Sequence, residues 1–353
     1  MWIAIAAGFV FGGAMAYALV NRNDKIIGMA VMEDWTAAKT MGLAIGVGAL
    51  LIAIVVEAGL ASYHVKPLLL GGAVWGGLVF GFGMAVLGYC PGTMAISAGQ
   101  GSLDALVGIV GGLDGGLAFT LLQPRLVPLL GPDLGPQSLY GNLGETGLGF
   151  HAFLLVFSAV VIFCVFAVHR AEGSTDRRWI VTGTVLAILN MVLMLDAVSG
   201  RPIGASTAYP YAADALTGTT DNAYFESITT PGVWEVWFLL GSLLAGALYA
   251  AMTKSFEVRL VHDRWREYRG ESPQRRLLWA FIGGFALLFG ARMAGGCTSG
   301  HILSGGMQLA KSGMVFAAFA FIAFLLTGKL FYKAHRKAHG SPSYTTALAN
   351  QVD

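Results

Sequence analysis

The sequence predicts an all-α, polytopic membrane protein, and three observations carry that expectation. Of its 353 residues, 56% are apolar and only 12% are charged, about half the roughly 25% of an ordinary soluble domain. Mean hydropathy is +0.66, which a chain of this size satisfies by placing most of its length against lipid or against other helices in lipid. The apolar residues also fall into runs of about 20, the length that crosses a hydrocarbon layer of roughly 30 Å. The 49 glycines follow no triplet period, which excludes a collagen-like fibre. A net charge of +2 points neither to nucleic acid nor to a strongly charged partner.

Nine candidate spans lie near residues 2–20, 36–58, 67–89, 102–123, 149–168, 179–198, 232–252, 277–296 and 313–332. The first ends at Ala16-Tyr17-Ala18, which resembles a cleavage site, but no basic segment precedes it, so it reads as a span rather than a signal peptide. Basic residues then set orientation, because basic loops stay cytoplasmic. They concentrate in Arg170, Arg177 and Arg178, in the stretch Lys254 to Arg276 (Arg259, Arg264, Arg266, Arg269, Arg275), and in the tail (Lys333, Arg336, Lys337). Nine spans ending in a cytoplasmic tail place the N-terminus outside and Arg22 and Lys25 inside. The loops 124–148 and 199–231 then face outward, carrying only Arg125 and Arg201. The segment 254–276 reads as a topology determinant and solvated helix, with docking of a cytoplasmic partner second.

Superimposing Cys90 on Cys297, an offset of 207 residues, aligns more than the thiols. Ala73 meets Ala280, Gly76-Gly77 meets Gly283-Gly284, Phe82-Gly83 meets Phe289-Gly290, Gly88 meets Gly295, Ser97 meets Ser304 and Gly99 meets Gly306. This reads as an internal duplication, with copies around 67–123 and 277–332 inside a single membrane domain of residues 1–353. The assigned topology inverts one copy relative to the other, the organisation of many secondary transporters.

In each copy the apolar run breaks at its cysteine, at Gly88-Tyr89-Cys90-Pro91-Gly92-Thr93 and at Gly295-Gly296-Cys297-Thr298-Ser299-Gly300-His301. Proline removes a backbone donor and disfavours helix at the residue before it. Irregular backbone at membrane depth survives only where protein or a wet cavity satisfies it, so both cysteines are expected on short broken helices facing one central cavity. A thiol is a weak donor and a soft, polarizable partner, suited to sulfur-bearing ligands. Thr93, Thr298, Ser299 and Ser304 add hydroxyl donors for an anion. Arg292 lies within a span, where a charge is expensive enough to suggest function, unless it snorkels to an interface. The candidate substrate-binding set is therefore Cys90, Pro91, Gly92, Thr93, Arg292, Cys297, Thr298, Ser299, Gly300 and His301.

Other features read as structural. Gly42, Gly46, Gly241 and Gly246 allow close helix packing, and Cys164, in mid-span, reads as core packing. Asp104, Asp114 and Asp196 are either proton-coupling carboxylates or partners for neighbouring helices. No metal is expected, since His301 stands alone and no CxxC or HxxxH spacing occurs. No nucleophile elbow, phosphate loop or dinucleotide fingerprint is present, so neither a cofactor nor an enzyme is expected.

These two cysteine segments, with Gly200-Arg201-Pro202-Ile203-Gly204-Ala205-Ser206-Thr207 between them, resemble the YeeE/YedE sulfur-transport family of bacterial inner-membrane proteins. The resemblance implies a monomeric, hourglass-shaped protein of nine spans plus short helices. It would import thiosulfate or a related sulfur-containing anion between cysteine thiols, in contact with membrane lipid. Some members work with a cytoplasmic sulfur-relay protein of the TusA kind. The substrate-contacting role carries over to Cys90 and Cys297. The family often has a further cysteine after its first span, in an Arg-x-Cys-Phe setting, where this chain has Ala16-Tyr17-Ala18 and then Asn21-Arg22-Asn23. The expected function is inward transport of a small sulfur-containing anion, the alternative being a membrane thiol relay enzyme or sensor that handles sulfane sulfur.

Overall fold

A computed structural model describes residues 1–140 and 147–333. Arg336 and Lys337 of the basic tail, and residues 141–146 of the expected outer loop, lie outside the described residues. The chain is helical almost throughout: α1 (Trp2–Tyr17), α2 (Asn23–Ala30), α3 (Thr36–Glu57), α4 (Leu70–Leu87), α5 (Pro91–Gly99), α6 (Leu103–Leu130), α7 (Leu148–Glu172), α8 (Arg178–Met194), α9 (Ala208–Thr217), α10 (Ala223–Met252), α11 (Asp263–Arg269), α12 (Pro273–Ala294), α13 (Gly305–Met307) and α14 (Lys311–Lys333). A π-helical segment, Thr298–Ser304, joins α12 to α13.

Among the described residues, seven helical stretches are long and apolar enough to cross a membrane: α3, α4 with α5, α6, α7, α10, α12 and α14. The first and sixth runs form α1 and α8, apolar but only 16 and 17 residues long. Three expected boundaries move. The run at 67–89 opens with a strand, β1 (Pro67–Leu69), which pairs antiparallel with β2 (Asp133–Pro136). Helix α6 continues through Pro124 and Pro128 to Leu130. The expected loop 199–231 contains α9 and the start of α10, where the Asn222 side chain accepts the Phe225 amide at 2.8 Å as an N-cap.

The helix ends gather into two faces. On the basic face, Asp24 accepts the Arg264 amide at 2.9 Å, and Glu33 takes the Arg264 guanidinium at 2.6 Å and the Tyr268 hydroxyl at 2.9 Å. On the opposite face, the β1–β2 ribbon is extended by Leu139 N–H to Leu309 O at 3.0 Å and Lys311 N–H to Gln137 O at 2.9 Å. Both sets of bonds join residues far apart in sequence, so each face is closed by the fold rather than left as separate loops.

At the centre α4 crosses α12, with α14 against α4 and α6 against α12; outside them α1 packs on α10 and α3 on α8. Small residues let these backbones meet. A Cβ on Gly83 would lie 2.7 Å from Gly283 O and collide with the Leu287 amide, and one on Gly290 would lie 2.7 Å from Gly76 O and 2.5 Å from the Phe80 amide. The two contacts are reciprocal: each helix uses the later of its two glycines against the earlier one of its partner. Gly241 and Gly246 likewise bring α10 against backbone carbonyls of Ile5 and Ile96.

Gly83→Ala or Gly290→Ala is expected to lower stability by about 1–3 kcal/mol, as overpacking does. Gly13→Ala, with nothing within 4 Å of the added carbon, is expected to change nothing or to stabilise slightly. Thermal unfolding of the three detergent-purified variants checks both outcomes.

Candidate functional site

The two cysteines occupy equivalent places in the backbone. Gly88 ends α4 and Gly295 ends α12, both left-handed with φ +77°, a conformation that glycine adopts without strain. Cys90 and Cys297 follow in extended conformation as the N-caps of α5 and the π-helical segment. Pro91 opens α5 at a position whose amide would have had no helical acceptor. The Cys90 amide donates to Thr93 Oγ1 at 2.9 Å, and that hydroxyl donates to Cys90 O at 3.1 Å and approaches Cys90 Sγ at 3.3 Å. In the second break the His301 amide donates to Cys297 O at 2.7 Å, and Ser299 Oγ lies 3.2 Å from Cys297 Sγ.

Helix ends inside a membrane protein leave carbonyls that must be satisfied internally. At α4 the guanidinium of Arg276 donates to Val86 O at 3.1 Å and Leu87 O at 2.6 Å, and Asn23 Nδ2 donates to Leu87 O at 2.9 Å. At α12 Lys66 Nζ donates to Gly295 O at 2.8 Å, and His301 Nε2 meets Ala294 O at 2.8 Å. Each break is thus held by a cation at a helix C-terminus, where the helix dipole favours positive charge. His301 uses its ring on the backbone and has no metal-binding company among the described residues.

The thiols share one neighbourhood. Cys90 feels both Cys297 and Thr298, and Tyr209, whose hydroxyl donates to Pro91 O at 2.7 Å, lies within electrostatic reach of both sulfurs. Gly92 packs against the Phe11 ring. Cys297 is 1% exposed. Cys90 is partly buried and, with Thr93, Thr298 and Ser299, lines a cavity of about 280 Å³. The rest of that cavity is apolar, with Met15, Met29, Met41 and Met84 prominent among its walls. It extends from the thiol toward the basic face.

A cluster of charges lies within electrostatic reach of Cys297. Arg292 is buried rather than snorkelling, donating to Tyr224 Oη at 2.7 Å and to Thr207 Oγ1 at 3.1 Å, with Ser206 Oγ at 3.4 Å. Lys66 lies in the field of Arg201, Arg292, Glu235 and Cys297. Glu235, 3% exposed, accepts the Thr207 and Ala208 amides at 2.6 and 3.3 Å and stands 3.7 Å from Arg201. The sequence reading missed Lys66 and Glu235 and saw Arg201 only as a loop charge. A carboxylate inside the apolar run 232–252 was the signal that would have found Glu235.

Several expectations change. Ser304 is not a free donor, since its hydroxyl bonds Asn190 Oδ1 and Ile203 O, both at 3.0 Å. Cys164 is exposed on the outer surface of α7 rather than packed in the core. Asp104 is a structural partner: it pairs with Arg276 at 2.6 Å, both side chains fully buried, and takes bonds from His262 at 3.1 Å and Tyr89 at 3.2 Å. Asp114 and Asp196 are exposed. Gly300 lies against Lys66, where a side chain would crowd Nζ at 3.1 Å.

Lipid-length helices, two of them ending beside cysteine thiols, define a multi-pass membrane protein. The sulphur-transport family matches residues 23–326, and the chain belongs to it. It is also similar to the thiosulfate transporter TsuA of Spirochaeta thermophila, with 25% identity over 335 residues that cover 90% of this chain and 95% of that protein.

Removing one partner of a buried ion pair costs about 3–5 kcal/mol, whereas replacing both by apolar residues costs far less. Arg276→Met is therefore expected to melt well below the wild type, and Arg276→Met with Asp104→Leu to regain only part of the loss, because Val86 O, Tyr89 and His262 still lose partners. Thermal unfolding in detergent checks the order.

Proposed function

We propose that the protein carries thiosulfate, or a related small sulfur-containing anion, inward across the inner membrane of a bacterial cell, past Cys297 and then Cys90. One observation carries this reading: both thiols stand at matching helix breaks and share one neighbourhood, Cys90 on the wall of the apolar cavity and Cys297 within electrostatic reach of the charged cluster. The named relative transports the same class of ion. Soft sulfur on the protein suits the sulfane end of such an ion, and hydroxyls of Thr93, Thr298 and Ser299 supply weak donors at each step. Weak sites in series allow release as well as binding.

The reading includes nine spans, α1 and α8 being the short ones, each packed against a helix long enough to cross. The basic face is cytoplasmic by its charge, which puts the N-terminus outside. Inverted repeats account for the reciprocity of Gly83 with Gly283 and Gly76 with Gly290, since a two-fold relation makes residue i meet j wherever j meets i. The same relation exchanges α6 on α12 with α14 on α4, and α1 on α10 with α8 on α3. The repeat then extends beyond the two cysteine segments to most of the chain, with α7 as the unmatched long helix.

Uptake of labelled thiosulfate by proteoliposomes tests the path. Cys90→Ala and Cys297→Ala are each expected to abolish uptake, and Cys164→Ala, on the outer surface, to leave it unchanged. Wild-type uptake by both loop variants overturns the proposal.

A further inference from the structure

We infer that the apolar cavity beside Cys90 is a binding site for one acyl chain of a phospholipid, which enters sideways from the bilayer through a window between α3 and α14. The site stands on the shape of the bundle; its bearing on cargo rests on the transport reading above.

The window follows from which helices touch. Helix α3 packs on α7 and α8, and α14 packs on α4, but α3 and α14 do not pack on one another along their length. The π-helical segment and α13 bridge them at one end of the gap, and α2 bridges them at the other. Near α2 the Trp35 and Phe321 rings stand 6.5 Å apart. Among the described residues, no further element packs on both helices to cover the gap. Both helices line the cavity. Most of its wall is buried, including Met15, Met29, Met84 and Phe324. Apart from Cys90 and Thr298, the lining residues that keep some exposure are Ala38, Met41, Gly42 and Ile45 of α3, Ile302 of the π-helical segment and Phe321 of α14. Those six frame the gap, and Phe321 is 41% exposed.

The occupant is set by what lies on either side of the frame. Next to Phe321 on α14, Ile322 and Leu326 are exposed, so the window opens onto the surface that meets lipid and the cavity is continuous with the bilayer. Ala38 to Ile45 fall within about the first three turns of α3 counted from the basic face, which is the depth of the acyl chains in the leaflet on that side. Lys329 is exposed about two turns nearer the basic face than Phe321, where its cation meets the phosphates of the same leaflet. Inside, the wall is hydrocarbon and thioether almost throughout. Apolar cavities stay dry, and one of roughly 150 Å³ already takes up a small hydrocarbon; this one measures about 280 Å³. Methionine, unbranched and adaptable, suits a wall that closes on a chain of no fixed shape.

A chain seated there lies against Cys90 and Thr298 and fills the space between the thiols and the basic face. On the transport reading, cargo passes when the chain withdraws through the window.

The test uses the full-length protein in liposomes that contain a small share of phospholipid with a diazirine at the end of one acyl chain. After irradiation, peptide mass spectrometry locates the adducts. Phe163, 72% exposed on α7, serves as the standard for ordinary lipid contact. Met84, buried behind the window on α4, is expected to carry adducts as well. Ala38→Trp, which fills the frame from α3, is expected to lower labelling at Met84 at least about fivefold, since a well-packed wall leaves no passage, and to leave Phe163 unchanged. Phe321→Ala, which widens the frame from α14, is expected to raise labelling at Met84, and serves alone if the Ala38 variant does not fold. The inference is overturned if Phe163 is labelled and Met84 is not, or if labelling at Met84 is the same in wild type and both variants. A free fatty acid carrying the same diazirine is the second probe: adducts at Met84 from it and none from the phospholipid assign the cavity to fatty acid and overturn the phospholipid. Labelled Met84 in a protein that takes up no thiosulfate keeps this site and removes the transport reading; uptake with Met84 unlabelled does the reverse.

Discussion

Backbone groups set free inside a bilayer have no water to turn to, and that requirement governs the centre of this protein. Helices α4 and α12 both stop within the bundle, and each stop exposes carbonyls that only another part of the chain can satisfy. Arg276 and Asn23 do so for one, Lys66 and His301 for the other. Because Arg276, Asn23 and Lys66 come from distant segments, each cysteine loop is held in part from outside itself. A thiol on such a loop is a fixed station.

The support at α4 brings further demands. A buried guanidinium needs a counter-charge, which Asp104 provides; Asp104 in turn gathers His262 and Tyr89. Arg276 also stacks over Trp265 at 4.6 Å, and Trp265 and Tyr268 of α11 are almost fully buried. The segment 254–276, which its charges present as a solvated orientation signal, is therefore half a wedge. Its aromatic side closes the bundle beneath Cys90, while Arg264 binds the α2–α3 loop through Glu33.

Much of this was legible in advance, for definite reasons. Lipid imposes a length on apolar runs, so helices could be placed along the chain, seven of them long enough to cross among the described residues, and proline and glycine mark breaks, so the Cys90 and Cys297 loops could be located. Helix α9 was not legible because it packs between α6 and α10, where protein rather than lipid satisfies it and no long apolar run is required. Nothing in an apolar run shows which side meets lipid, which is why Cys164 looked like core. Pairings such as Asp104 with Arg276, 172 residues apart, exist only after folding, so a lone acid in an apolar stretch left its role open. Lys66 was invisible for a similar reason: its acceptor is a carbonyl 229 residues away.

The chamber beneath Cys90 has a consequence for the cell's energy supply. Walls of methionine, phenylalanine and aliphatic side chains hold water poorly, and water withdraws from narrow apolar spaces. A proton moves through membranes along files of water, so a dry antechamber gives it no wire to follow. The route proposed above would thus pass an anion beside the bilayer's voltage without laying a file of water for protons.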